Sequence, residues 1–121
     1  LIGDEYLLIK ELGIDGEEAE FLGDEIRLNS SRGTCYTIIV DNTVLAIAGT
    51  VIARPGLGEL WSAATNKVKQ NQKFYFKASK WGIKDGFERL RLRRLQTICR
   101  RDDIISYGWQ IRLGFELEGI M

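Results

Sequence analysis

The part of this sequence that most limits its fold is residues 34–52. Two runs, TCYTIIV over 34–40 and VLAIAGTVI over 44–52, are joined by Asp41-Asn42-Thr43. Both are rich in β-branched and apolar residues, which suit a strand. A strand with one face in water alternates apolar and polar residues, and neither run does so along its whole length. The pair therefore predicts a hairpin inside a sheet that is covered on both faces. The cover has to come from the rest of the 121 residues. A chain of that size builds one core, so residues 1–121 read as a single domain.

The flanking segments supply candidate helices. Residues 1–12 form a short amphipathic pattern with Gly13 as its stop. Over 17–29, Ala19, Phe21, Leu22 and Ile26 recur at helical spacing, and Asp15 can cap the start. Residues 29–33 read as a loop. After the hairpin, Arg54-Pro55-Gly56 breaks the pattern at the only proline. Residues 59–65 (ELWSAAT) read as a third strand. Residues 67–91 form the longest helical pattern, with Lys69, Lys73, Lys77, Lys80 and Lys84 in one stripe. Phe74, Ala78 and Trp81 flank it on one side, and Phe76, Ile83, Phe87 and Leu90 on the other. That helix is expected to bury most of its circumference, with Gly82 and Gly86 letting another backbone come close. Residues 93–99 read as a fourth strand. A helix capped by Asp102 or Asp103 then runs to about Leu113, Gly114 ends it, and 115–120 form a last strand. The order ααβββαβαβ predicts an α/β (α+β) fold with a mixed, mainly antiparallel sheet and helices on both faces.

Composition removes whole classes of chemistry. There is no histidine, which excludes Ser-His-Asp triads, Cys-His dyads and HExxH zinc sites. The two cysteines, Cys35 and Cys99, make neither a disulfide framework nor a structural zinc site, and no metal is expected. Both sit in apolar strands, where a thiolate is disfavoured. No secretory signal and no membrane-spanning apolar run is visible, so a cytoplasmic protein is expected.

The net charge of zero hides an asymmetry. Residues 1–60 carry eleven acids and four bases, a balance of −7. Residues 61–121 carry thirteen bases and six acids, a balance of +7. Two readings are open. The halves neutralise each other across one fold, or a basic face meets an anion such as a phosphate or nucleic acid. The lysine stripe is either the solvated face of a surface helix or part of that anion site. Arg89, Arg91, Arg93, Arg94, Arg100 and Arg101 add basic density, although strand alternation would split Arg93 and Arg94 onto opposite faces.

The segment Trp109-Gln110-Ile111-Arg112-Leu113-Gly114-Phe115, followed by Glu118-Gly119, resembles the end of GNAT-superfamily N-acetyltransferases. Those proteins commonly close a helix with aromatic-Tyr-x-Lys-Leu-Gly-Phe and place Glu-Gly in the next strand. Asp103 stands where the family commonly opens that helix with Asn or Asp. The element order from the hairpin onward also matches. The resemblance implies acetyl-CoA as cofactor and an amine as acceptor. The pantetheine would lie on the third strand and the pyrophosphate at the start of the long helix. The residues implied are Ala63, Ala64, Thr65, Lys67, Val68, Lys69, Asn71, Lys73 and Asp103. The base would be Glu59, a backbone-held water or no residue at all, and Tyr107 is the candidate acid; the plainer reading of Glu59 is a solvated strand end.

Two departures stand against full activity. Residues 64–73 contain no glycine, where the family's phosphate loop usually has one. Gln110 occupies the position of the tyrosine that often protonates the coenzyme A thiolate. A narrower resemblance, to the GNAT-like internal virion or assembly proteins of short-tailed phages, runs over about residues 34–118. It is carried by Thr34-Cys35-Tyr36-Thr37, Leu45-Ala46-Ile47-Ala48-Gly49, residues 61–68 and the lysine-rich helix. It implies a phage-encoded protein, in host cytoplasm or virion, that partners phage structural proteins and has weak or no transferase activity. With no strand ahead of the first helix, the domain would lack the family's first strand. The third reading is a nucleic-acid-binding adaptor using Lys69, Lys73, Lys77, Lys80 and Lys84. The tryptophans Trp61, Trp81 and Trp109 are expected in the core.

Overall fold

The computed structural model describes residues 3–97. Helices α1 (Asp4–Leu12) and α2 (Gly16–Ser31) lead into β1 (Gly33–Val40), β2 (Thr43–Arg54) and β3 (Leu57–Ala64). A short 3-10 turn (Asn66–Gln70) precedes α3 (Gln72–Arg89), and β4 (Arg94–Gln96) follows. The expected final helix and strand, with Cys99, Asp102, Asp103, Tyr107, Trp109 and Gln110, lie outside the described residues.

The helix ends follow local chemistry. Gly13 ends α1 in the left-handed region (φ 70), where its N–H reaches the carbonyls of Ile9 and Lys10, each at 3.1 Å. A residue with a Cβ is strained there. Helix α2 runs two residues past its expected end. The Ser30 and Ser31 hydroxyls bond back to the Arg27 and Leu28 carbonyls at 3.0 and 2.7 Å. That bonding keeps serines in a helix that their turn preference would otherwise end. The loop expected over 29–33 shrinks accordingly.

The four strands are ordered β1-β2-β3-β4, antiparallel except for the parallel pair β3–β4. Strand β2 is central to the packing and contains a bulge. Ile38 faces Ala46 and Ile39 faces Val44, which leaves Leu45 without an opposite residue. A bulge turns two successive side chains to the same side. Leu45 and Ala46 therefore both join Ile38 in the core under α3. Val44 and Ile47 both join Leu8 and Ile26 in the core under α1 and α2. This is why VLAI is buried at four consecutive positions.

Helix α3 departs from expectation twice. The pattern over 67–91 is not one helix: its first four residues belong to the five-residue 3-10 turn Asn66–Gln70, and Asn71 (φ −130) breaks that turn from α3. A five-residue stretch is too short for periodicity to tell 3.0 from 3.6 residues per turn. The helix also buries much less than most of its circumference. Phe74, Trp81 and Phe87 are 46%, 60% and 38% exposed. The expectation of a core Trp81 is thus corrected: it only rests against the Tyr36 ring, edge to face, centroids 5.3 Å apart. The physical reason is that α3 approaches the sheet along a narrow strip. A Cβ built on Gly82 would stand 3.5 Å from Tyr36, and one on Gly86 3.2 Å from both the Thr34 and Thr50 hydroxyls. Trp61 does pack on the core, beside Leu12, Leu22, Cys35 and Ala63. No helix among the described residues is long and apolar enough to cross a membrane.

Candidate cofactor site at the fork between β3 and β4

Among the described residues, strands β3 and β4 pair over three residues, Leu57 with Arg94, Gly58 with Leu95 and Glu59 with Gln96. Strand β3 then continues to Ala64 with no partner on that edge among the described residues. The Thr65 N–H bonds the Leu45 carbonyl at 2.8 Å, so Thr65 turns its backbone toward β2. Antiparallel pairing alternates, so Ala63 and Trp61 do the same, while Leu60, Ser62 and Ala64 turn theirs to the open edge. An open strand edge is a template for an extended ligand with amide groups.

The far end of that edge meets the start of α3. Thr65 is buried, and its hydroxyl also donates to the Leu45 carbonyl, at 3.0 Å. Two bonds from one residue fix where β3 ends. The 3-10 turn then folds back, with Val68 packed into the core beside Tyr75 and Ala78. The Asn71 amide nitrogen donates to the Lys67 carbonyl at 3.0 Å, so this side chain does not cap α3. Helix geometry leaves the N–H groups of Gln72, Lys73 and Phe74 without intrahelical partners. The first turn contains no acid. An uncapped start of an 18-residue helix with a lysine beside it is a place for an anion.

The cations divide into two groups. Lys67 is committed: its Nζ lies 2.9 Å from Glu11 Oε2, tying the end of α1 to the 3-10 turn. Lys69 and Lys73 are exposed and form no ion pair among the described residues. Lys77, Lys80 and Lys84 follow along the outer face of α3, and Lys80 sits 5.6 Å from the Phe76 ring centre.

At the closed end of the fork, Glu59 occupies the last paired position of β3. Its Oε1 accepts a 2.7 Å hydrogen bond from Gln96 Nε2 across the two strands. On the α1/α2 side of β3, the buried Trp61 Nε1 has no hydrogen-bond partner among the described residues. The structure thus brings Glu59, Ala64, Thr65, Lys69, Asn71 and Lys73 along one edge. It assigns Val68 to packing and turns the backbone of Ala63 away from the open edge. Sequence reasoning missed Ser62, Leu60 and Gln96. Only the strand pairing, not any side-chain type, could have revealed them.

No family model matches the sequence, and no curated protein matches it. Solved structures do match the fold. An aminoglycoside 6'-N-acetyltransferase from Acinetobacter haemolyticus superposes with a TM-score of 0.66 at 15% identity, over 98% of this chain and 88% of its own. A GNAT-family acetyltransferase from Bacillus anthracis gives 0.66 at 19% identity, over 95% and 72%. The aminoglycoside N-acetyltransferase AAC(6')-Iy, solved with a CoA bisubstrate analogue, gives 0.60 at 18% identity, over 98% and 86%. The fold of this chain is therefore GNAT-like.

Proposed function

We propose that this chain binds acetyl-CoA in the fork between β3 and β4 and presents the thioester to an amine. The observation that carries the reading is the junction of an open strand edge with an uncapped helix start. Pantetheine carries amides in an extended chain, and the edge groups of Leu60, Ser62 and Ala64 can pair with them. The pyrophosphate goes to the amides of Gln72, Lys73 and Phe74, with Lys69 and Lys73 as counter-charges. Ala63, Thr65, Lys67, Val68 and Asn71 shape this edge: Thr65 pins it, Val68 anchors the turn and Asn71 leaves the helix start uncapped. Lys67 adds field but is shared with Glu11.

The chemistry assigned to the residues is modest. An amine nitrogen attacks the thioester carbonyl, the C–S bond breaks, and the ammonium proton goes to Glu59, directly or through a water. The Gln96 amide holds that carboxylate at the fork. The sulfur leaves as thiolate and takes a proton, for which Tyr107 is the candidate. Gln110 in place of the family's tyrosine, and a phosphate loop without glycine, support slow or absent transfer. Asp103 opens the following helix in this reading. A role among phage virion proteins rests on the sequence resemblance.

Calorimetric titration with acetyl-CoA tests the reading. Lys73→Ala removes a charge-assisted contact worth about 1.5 kcal/mol and weakens binding roughly tenfold. Ala64→Pro deletes one open-edge N–H without touching the β2 ladder, and weakens binding by a similar factor. Absence of binding at about millimolar acetyl-CoA, by protein with native circular dichroism, overturns the proposal.

A further inference from the structure

Two exposed helix faces, the second beginning at the edge of the proposed cofactor site, match each other. On α2, Phe21 and Leu28 stand seven residues apart and are 69% and 49% exposed. Helical spacing puts Glu17 and Asp24 on one side of this pair and Glu18 and Glu25 on the other. On α3, Phe74 and Trp81 also stand seven residues apart and are 46% and 60% exposed. Lys77, Lys80 and Lys84 run beside them. Seven residues of helix span about 10 Å, so the two apolar pairs share one spacing. Helix α2 carries five acids and one base, α3 five bases and two acids. The faces lie on opposite sides of the sheet, since α2 packs on the Ile47 core and α3 on the Leu45 core.

We propose that the α2 face of one copy docks on the α3 face of a second copy, so that the chain self-associates head to tail. A polyanion or an anionic membrane would account for the lysines on α3. It would leave the carboxylate-framed Phe21–Leu28 pair unexplained. A second copy accounts for both faces at once: aromatic and aliphatic side chains meet at the centre, and carboxylates meet ammonium groups around them. Using different patches on the two partners makes the contact heterologous, so association does not stop at two unless the ring closes.

Sedimentation velocity over a protein concentration series tests this. At about 0.1 M salt the average mass rises with concentration. At about 1 M, where the Debye length falls from about 10 Å to about 3 Å, the association weakens severalfold. Phe21→Lys removes one half of the contact and Phe74→Glu the other, and each variant alone stays monomeric. Mixed, they form a one-to-one dimer and nothing larger, because each still carries the half its partner lost. Lys77→Glu is fully on the surface and replaces Phe74→Glu if that variant misfolds. A chain monomeric at every concentration, variants that associate like the parent, or a mixture that stays monomeric each overturns the proposal. So does a monomer whose α3 face binds a single-stranded oligonucleotide or anionic vesicles in a way that Lys77→Glu abolishes.

Discussion

The two faces of the sheet are covered by different means. Under α1 and α2 the cover is volume: Leu8, Ile26 and Ile47 are at most 2% exposed. Polar pins add to it, with the Thr37 hydroxyl on Asp4 at 2.8 Å and Arg27 reaching buried Glu5 at 3.3 Å. Under α3 the cover is proximity. The only buried residue of that helix is Gly86, and Tyr75 and Ala78 are half-buried. Volume resists deletion of atoms poorly, because a hole remains. Proximity resists addition poorly, because there is no room. The layer held by proximity is the one whose first turn forms the proposed anion site, so the glycines set where those amides stand over the sheet.

The largest expected effect comes from deleting volume on the first face. Ile47→Ala removes a fully buried side chain and should cost about 2–5 kcal/mol. Ala78→Gly, a deletion on the inner face of α3 itself, should cost about 1 kcal/mol, mostly through helix propensity. Urea unfolding of the two variants measures the difference. Equal losses would mean that both layers are held by volume, and the contrast would fail.

Much of this contrast was legible beforehand, and the parts that were not share a cause. The hairpin announces itself in TCYTIIV and VLAIAGTVI because covered strands must be apolar on both faces. Gly82 and Gly86 announce close approach, but what comes near them is the Tyr36 ring and the Thr34 and Thr50 side chains rather than another backbone. The bulge at Leu45 was not legible, since a continuous apolar run hides a slip in alternation. Nor was the exposure of Trp81 and Phe74, because an aromatic residue has the same side chain inside or out, and the width of the contact decides. The proposed site lies on the segment that the sequence pointed to, but the groups proposed for it are the backbone of Ser62, Ala64 and residues 72–74, which pairing and capping expose irrespective of side chain. The bond between Lys67 and Glu11 joins residues that only the fold brings together.

A smaller effect sharpens the claim that the first face is dry. Cys35 packs on the α1/α2 core, and burial pushes its thiol from 9.0 up to about 11, with Asp4 and Glu5 adding to the rise. The raised value means the folded state favours the thiol. That contribution to stability is fully present below about pH 9 and is lost as pH rises toward about 11. At neutral pH a rise of this size cuts the thiolate fraction about 100-fold and raises its intrinsic nucleophilicity roughly tenfold, leaving a net slowing of about tenfold. In a Cys99→Ser background, reaction with an aromatic disulfide reagent should be slower than that of a free thiol by that factor. A Cys35 that reacts at the free-thiol rate would show water on that face.

The smallest effect is the sharpest probe of proximity, because two terms of similar size oppose each other in Gly86→Ala. A helix interior gains about 1 kcal/mol when glycine becomes alanine. The new methyl would stand 3.2 Å from the hydroxyls of both Thr34 and Thr50, and those residues are buried at 6% and 1% exposure. Each hydroxyl must turn or the helix must rise by a few tenths of an ångström, which costs about 1 kcal/mol by the usual scale of overpacking. The stability change should therefore lie within about 0.5 kcal/mol of zero. The discriminating variant is Gly86→Ala with Thr50→Ala, which removes one of the two hydroxyls that the new methyl would meet. If proximity sets α3, the double variant recovers part of the propensity gain that the single one lost, and the two changes are non-additive. Strict additivity in thermal unfolding would show that α3 does not rest on the sheet at Gly86, and the position of its first-turn amides would need another cause.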